Sequence, residues 1–244
     1  LAIEAEQALG AHVSELLDPA IVAPLTRALG DPDRGGERLI DAAYPLSGRP
    51  GRLSAHIEDG RGIVEIEAAW TDAEPRVLDE TARIIAQLAA TDDEARLITI
   101  ATAEIAALTG FHRVIFYRFD EDADGEVLDE VLTESTYEPL LGLRFPAGDI
   151  PPQARALYVR SRFRWMPNTD YVPVPLVPPR PLGTSRALDL GPARLRSQSP
   201  YHRIYQRNLG VAAGFSASVV IDGALHSMIV GHHQQPRFLS SGVR

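Results

Sequence analysis

One short run between two prolines constrains the fold of this chain more than any other segment. Residues 144–151 read Arg-Phe-Pro-Ala-Gly-Asp-Ile-Pro. Because Pro146 and Pro151 fix φ, lack a backbone donor and bias the preceding residue towards extended geometry, the run is neither regular helix nor central strand. Pro151 and Pro152 then stand at the start of a helix, where proline is tolerated. An irregular segment that carries Asp149 into a helix leaves carbonyls and a carboxylate free, which predicts a ligand pocket.

Composition excludes several classes of protein. The 244 residues are 45% hydrophobic and 23% charged, typical of a globular protein with one large domain or two ordinary ones. The net charge of -9 disfavours binding to nucleic acid or to an anionic membrane. Without an apolar run of about 18 residues or a basic and then apolar N-terminus, we predict no membrane span, no signal peptide and a cytoplasmic protein. The lack of cysteine excludes disulfides and thiolate chemistry.

The first part of the chain mixes short helices with a hairpin. Residues 4–17 and 20–29 carry Ala, Leu and Val at helical spacing. Residues 53–57 and 64–68 alternate polar and apolar side chains on either side of an Asp-Gly turn, which predicts a β-hairpin with one buried face.

The rest of the chain predicts an antiparallel sheet with helices packed on it. Two helices are expected within residues 76–109, the second with Thr91 or Asp92 as N-cap and Gly110 as its stop. Strands are expected at 112–119, 126–133, 211–221 and 224–231. A helix is expected at 200–209, before the last two strands. This order indicates an α+β fold. The proline-rich residues 172–183 predict a long loop of the same domain.

The residue pattern supplies no catalytic constellation. The sequence holds no GxSxG, P-loop, HExxH or CxxC motif, so we predict that the chain is not an enzyme. His232 and His233 are neighbours on a predicted strand, point to opposite faces and would not share a metal ion; His233 is expected at the surface. Taken alone, Asp149 would serve as a helix cap and His202 as a surface residue.

Four blocks of the sequence, in the same order and spacing, resemble phytochromes, the bilin-binding red-light receptors. They are VIFYRFD at 114–120, FPAGDIPPQARALY at 145–158, LRSQSPYH at 195–202 and GHH at 231–233. Among phytochromes, the chain resembles the bacteriophytochromes. The resemblance implies a PAS domain at residues 1–75, N-terminally incomplete, followed by a GAF bilin-binding domain with its preceding helices at 76–244.

The resemblance also implies a site for biliverdin, a linear tetrapyrrole, in the GAF domain. Asp149 would face the pyrrole N–H groups, His202 would lie over the tetrapyrrole centre, and His232 would bond the ring-D carbonyl. Arg164 and Arg196 would pair with the two propionates, as the planar guanidinium suits a carboxylate. The other expected contacts are Ile150, Pro151, the hydroxyl donors Tyr158, Ser199 and Ser216, and the ring-D aromatics Tyr117, Phe145 and Tyr205.

The sequence departs from the family pattern at several positions. Gly148 and Gly214 replace common serines, and His226 replaces a common tryptophan. Phytochromes tether the bilin through a cysteine thioether, either in an N-terminal extension or directly before the histidine matched by His202, where this chain has Tyr201. The start at Leu1 leads us to expect that the extension has been cut off, or else that the bilin is bound without a tether.

The family layout predicts the function and the partners. The chain would be a red/far-red photoreceptor fragment signalling by Z/E photoisomerisation of the bilin. It would form a homodimer through the helices at 77–109, with a PHY domain and an output module in the full protein. Without the PHY domain we expect the fragment to bind pigment but to photocycle poorly. The alternative is a light-independent GAF sensor of haem or a cyclic nucleotide, with His202 or His232 as the haem ligand.

Overall fold

The computed structural model describes residues 5–30, 38–46, 49–68, 74–134, 137–240 and 242–244. Its helices are α1 (Ala5–Ala8), α2 (Val13–Leu16), α3 (Pro19–Leu29), α4 (Glu74–Ala89), α5 (Glu94–Thr109), α6 (Pro152–Arg160) and α7 (Pro200–Asn208). Its strands are β1 (Arg38–Leu46), β2 (Arg49–Glu58), β3 (Arg61–Ala68), β4 (Arg113–Phe119), β5 (Gly125–Leu132), β6 (Arg144–Phe145), β7 (Phe163–Met166), β8 (Ala213–Ile221) and β9 (Ala224–His233). A single 3₁₀ turn covers Ala147–Asp149. No helix in the described part is long and apolar enough to cross a bilayer.

The first compact unit comprises residues 1–72 and 173–197. It contains a three-stranded antiparallel sheet in the order β1-β2-β3. Helix α3 packs on this sheet because Ile21 and Leu25 lie on one helical face and meet Leu53 and Ala55 of β2 in a small buried cluster.

The proline-rich segment belongs to this first unit, whereas its position in the sequence had indicated the second. Further along the same stretch of the first unit, the backbone N–H groups of Arg194 and Leu195 donate to the Glu65 carboxylate on β3, at 3.0 and 2.6 Å. Because the Glu65 side chain is buried, these charge-assisted bonds supply partners that it would otherwise lose.

The second unit comprises residues 73–172 and 198–244. Its six-stranded antiparallel sheet has the order β6-β5-β4-β9-β8-β7. Helix α5 packs on one face of this sheet and forms the main core. The side chains of that core include Ile98, Ala101, Ala106, Phe111, Val114, Phe116, Phe215 and Ile229.

Several local predictions differ from the structure in detail. The helix expected over residues 4–17 is two short helices separated by Gly10, whose φ of 79° is incompatible with continued helix. The N-cap of α5 is Asp93, whose carboxylate accepts the Arg96 N–H at 2.7 Å, in place of Thr91 or Asp92. Gly110 ends α5 in the left-handed conformation, as predicted.

Candidate ligand pocket

Alternation along the central strands places polar and apolar side chains on the sheet face opposite α5. Tyr117 on β4, His232 on β9, Ser216 on β8 and Arg164 on β7 all lie on this face, since side chains two residues apart on a strand point the same way. They line a cavity of about 550 Å³. One sheet therefore has an apolar core on one side and a cavity on the other.

The opposite wall of the cavity comes from irregular backbone and two helices. The 3₁₀ turn and the residues after it contribute Asp149, Ile150 and Pro151, and α6 contributes Tyr158. Helix α7 and its N-cap residue bring further polar groups to the same space, namely Ser199, His202, Tyr205 and Gln206.

The structure brings nearly all the predicted site residues together around this cavity. The residues that line it are Tyr117, Phe145, Asp149, Ile150, Pro151, Tyr158, Arg164, Ser199, His202, Tyr205, Ser216 and His232. Arg196 is the exception, because it is not among the lining residues and its guanidinium donates to the carbonyls of Gly191 and Ser197, each at 3.2 Å. The binding roles of these residues stay predictions, whereas their convergence is a property of the fold.

The Asp149 segment is held by hydrogen bonds to its backbone. The Ala147 N–H donates to the Asp124 carboxylate at 2.8 Å, and the Arg155 guanidinium donates to the Ile150 carbonyl at 2.6 Å. Helix α6 begins after Pro151, and no described side chain caps it. Asp149 therefore does not cap α6, and it is one of the residues that line the cavity.

Two tyrosines facing Asp149 are held in their protonated form. Burial raises the pKa of Tyr117 to about 12, and the negative charge of Asp149 adds to the shift. Burial and Asp149 also raise the pKa of Tyr205. The ring of Tyr117 fits because position 125 is glycine; a Cβ there would lie 1.8 Å from the Tyr117 Cζ. Both phenols are thus hydrogen-bond donors at neutral pH.

The deep end of the cavity holds a neutral imidazole. His232 is 4% exposed. Burial lowers the pKa of His232 to about 3, and the neighbouring Arg113 and His202 contribute to the same shift. Among the described residues its Nδ1 has no hydrogen-bond partner. A neutral ring can donate from one nitrogen and accept at the other, so it suits a ligand with either kind of polar group.

Three arginines follow one another at every second position, Arg160, Arg162 and Arg164, and one of them lines the cavity. Arg164 is buried and lines the cavity, and its Nη1 donates to the Ser161 hydroxyl at 3.1 Å. Arg162 is exposed, and Arg160 is exposed at the end of α6. Arg164 is therefore the guanidinium of this trio that a bound carboxylate could reach.

His233 is buried, and the prediction that it lies at the surface is wrong. It is 5% exposed because its ring stacks on His112 with a centroid distance of 3.7 Å, while its Nδ1 lies 2.8 Å from the Gln235 carbonyl oxygen. Within the described residues, no group of three or more His, Asp and Glu side chains could hold a metal ion.

A buried ion pair behind the cavity wall was not foreseen. The Nε of Arg113 lies 3.1 Å from the Glu130 carboxylate, and both side chains are 4% exposed. The Glu130 Oε2 accepts the backbone N–H groups of Leu140 and Leu141 at 2.8 and 3.0 Å. The Arg113 guanidinium lies over the Tyr137 ring, 4.3 Å from its centroid. The pair fixes the segment from which Leu140 enters the cavity.

Gln206 was also missed as a lining residue. It follows His202 by four positions on α7, so the two side chains share a helical face. That spacing is the sequence signal that could have found it.

The chain is similar in sequence to phytochromes from several bacteria. No protein-family model matches the chain. A bacteriophytochrome of Pseudomonas aeruginosa is 36% identical over 202 residues, covering 79% of this chain and 28% of the relative. Cyanobacterial phytochrome B of Nostoc sp. is 34% identical over 248 residues, covering 98% of this chain and 32% of the relative. The chain thus spans about a third of the length of these curated relatives.

A solved structure decides the family. The chromophore-binding domain of the Stigmatella aurantiaca bacteriophytochrome is 33% identical, superposes with a TM-score of 0.84, and is covered over 81% of its length by the whole of this chain. The chain belongs to the bacteriophytochrome family. The resemblance and the α+β, PAS–GAF fold predicted from the sequence are confirmed, while the domain limits at residues 75 and 76 stay predictions. Membership in a photoreceptor family favours light reception over a light-independent sensor.

Proposed function

We propose that this bacteriophytochrome chain binds biliverdin in the cavity of its second unit and serves as the sensory part of a red/far-red light receptor. The observation that carries the proposal is the convergence of Arg164, His232 and Asp149 on one cavity of about 550 Å³. Their chemistry matches a pigment that combines carboxylates, carbonyls and N–H groups on a long apolar skeleton.

The size and lining of the cavity fit such a ligand. Small-molecule sites commonly occupy roughly 300–1,000 Å³ and combine an apolar lining with a few fixed polar groups. Here Ile115, Met166 and Val230 supply apolar wall, and the buried guanidinium of Arg164 and imidazole of His232 supply the polar groups. The buried Nδ1 of His232, which has no partner among the described residues, favours a ligand that pairs with it.

Arg164 is the residue proposed to hold a propionate. Its guanidinium can form two parallel hydrogen bonds with a carboxylate, and burial strengthens them. Ser216 lies directly across the β7–β8 pair from Arg164 and would donate its hydroxyl to the same carboxylate. Tyr158 and Ser199 are proposed as further donors around the cavity.

Asp149 and the aromatic residues would set the environment of the pigment. When bound, biliverdin would supply the light absorption and the Z/E isomerisation of its C–D methine bridge. The Asp149 backbone carbonyl would accept pyrrole N–H groups, with His202 over the tetrapyrrole centre. Tyr117, Phe145 and Tyr205 would pack against the terminal ring, and neutral His232 would donate to its carbonyl.

No residue of this chain can tether the pigment through a thioether, because it has no cysteine. We therefore propose that these 244 residues hold biliverdin by packing and hydrogen bonds and perform no catalysis of their own.

The whole protein is proposed to act through partners. Since the chain spans about a third of its curated relatives, an output module is expected in the full-length protein. A homodimer is proposed through the helices before the GAF sheet, where α4 exposes Leu78 by 70% and Ile85 by 60%. Light scattering of the purified chain that gives the monomer mass would reject the dimer.

Absorption spectroscopy tests the proposed function. We expect biliverdin mixed with the chain to develop a narrow, intensified red band absent from free biliverdin and from biliverdin mixed with an unrelated protein. After acid–urea denaturation the pigment should separate from the chain, which zinc staining of the separated protein would check. A spectrum identical to that of free biliverdin would reject the proposal.

A further inference from the structure

Helix α7 buries a polar side chain where an apolar one would be expected. The apolar and aromatic residues Tyr201, Ile204 and Tyr205 are 84%, 52% and 44% exposed, while Gln206 is 6% exposed. The Oε1 of Gln206 has no hydrogen-bond partner among the described residues. Leaving a buried acceptor unsatisfied carries a free-energy cost, so a polar residue at this place calls for a partner.

The Gln206 side chain lies beside a glycine of β8 that also lines the cavity. Gln206 lines the cavity, and its Oε1 lies 3.7 Å from the point where a Cβ on Gly214 would stand. Gly214 pairs with His232 across β8 and β9. With no side chain at position 214, no Cβ stands beside the Gln206 oxygen, and Gln206, Gly214 and His232 all line the cavity.

We propose that Gln206 is a further ligand-binding residue of this cavity, whose side-chain oxygen accepts a hydrogen bond from an N–H group of the bound tetrapyrrole. The inference rests on the proposed function, because it names a contact within the same site. It differs from the contacts implied by family resemblance, which did not include this position.

The protonation state of each ligand group decides whether that group can donate a hydrogen bond to the Gln206 oxygen. The propionates of biliverdin are ionised at neutral pH and cannot donate a hydrogen bond. Its pyrrole and lactam nitrogens carry N–H groups that can. An N–H donor to Gln206 would stand beside His232, whose neutral ring offers both a donor and an acceptor to the same end of the ligand.

The test combines two variants with a ligand-free measurement. Gln206→Met and Gln206→Leu remove the acceptor and put in its place an apolar side chain of similar size that suits a helix. Ile204→Ala, on the exposed side of α7 and away from the cavity lining, is the control. The dissociation constant for biliverdin is measured by absorbance titration, and Tm is measured for each pigment-free chain.

We expect affinity and stability to change in opposite directions. Both Gln206 variants should bind biliverdin about fivefold more weakly, while their pigment-free Tm rises because an unsatisfied buried acceptor is gone. Ile204→Ala should leave the affinity unchanged. Unchanged affinity in both Gln206 variants, with wild-type binding intact, would overturn the inference and leave the proposed function standing. Failure of the wild type to bind biliverdin would overturn both.

Biliverdin dimethyl ester identifies the group that meets Gln206. The ester retains every N–H group and loses both carboxylates. The fivefold ratio between wild type and Gln206→Met should therefore persist with the ester. Disappearance of the ratio would show that the side chain serves a propionate and would overturn the assignment to an N–H group.

Discussion

The two faces of the six-stranded sheet are built from alternate residues of the same strands, yet one face forms the main core and the other lines the cavity. On β9, Ile229 is buried in the main core under α5, whereas its neighbour Val230 lines the cavity. On β8, Phe215 packs against Phe111 with ring centroids 4.9 Å apart, and Ser216 faces Arg164.

The contrast shows how one sheet can separate stability from binding. The core face is apolar and closely packed, so its side chains contribute to folding through burial. The cavity face carries polar groups. Arg113 pairs with the buried Glu130, and other polar groups line the cavity, where we propose that the ligand bonds to them. Substitutions on the two faces should therefore affect folding and ligand affinity to different degrees.

The largest effect should come from the buried Arg113–Glu130 ion pair, which stabilises the fold on the cavity side of the sheet. Arg113→Met leaves the Glu130 carboxylate buried without its cation, and we expect a loss of about 4 kcal/mol in the free energy of unfolding. Urea unfolding of the pigment-free chain measures it. The double variant Arg113→Met/Glu130→Gln removes the buried charge and should recover at least half of the loss. A loss below about 1 kcal/mol in the single variant would contradict the importance of the pair.

The next effect compares adjacent residues of β9. Ile229→Ala should cost about 3 kcal/mol of unfolding free energy, because it opens a void in the closely packed core. Val230→Ala should cost about 1 kcal/mol, since it enlarges an existing cavity, and it should change the biliverdin affinity more than Ile229→Ala does. Urea unfolding and absorbance titration give both values. Equal losses of stability would remove the distinction between the faces.

The pH dependence of stability tests the neutral state of His232. An unfolded histidine takes up its proton near pH 6.5, whereas burial keeps His232 neutral in the folded chain down to about pH 3. Between these values the unfolded state binds one more proton, so the unfolding free energy falls as the pH falls, by about 1.4 kcal/mol per unit from this residue. His232→Leu should lack that part of the slope. Parallel pH profiles for wild type and variant would contradict it.

The smallest effect concerns affinity alone. Arg164→Gln should weaken biliverdin binding about tenfold, because a charge-assisted bond to a propionate becomes a neutral one. Arg162→Gln, two residues away and exposed, is the matched control and should bind like wild type. Absorbance titrations of the three proteins decide the matter, and equal affinities for the two variants would remove Arg164 from the proposed site.

The sequence predicted the parts of this fold that depend on local pattern. Helix α5 and the hairpin of β8 and β9 follow from apolar periodicity and turn residues, and the run around Asp149 marked the cavity wall. Gly110 ended α5 as expected, because only a residue tolerant of positive φ suits that position.

The missed features depend on contacts between distant residues. The proline-rich segment belongs to the first unit, in which Glu65 accepts backbone N–H groups from residues 194 and 195. Arg196 matched a family block by residue type; its guanidinium donates to the Gly191 carbonyl, and its pairing with a propionate stays a prediction. Burial of His233 depends on stacking with His112, which is also remote in sequence.

A crystal structure of the chain with bound biliverdin tests the central claim most directly. The account predicts one pigment on the cavity face of the six-stranded sheet, between Asp149 and His232, with a propionate within hydrogen-bond distance of Arg164. Pigment bound elsewhere on the chain, or within the cavity but with both propionates away from Arg164, would contradict it.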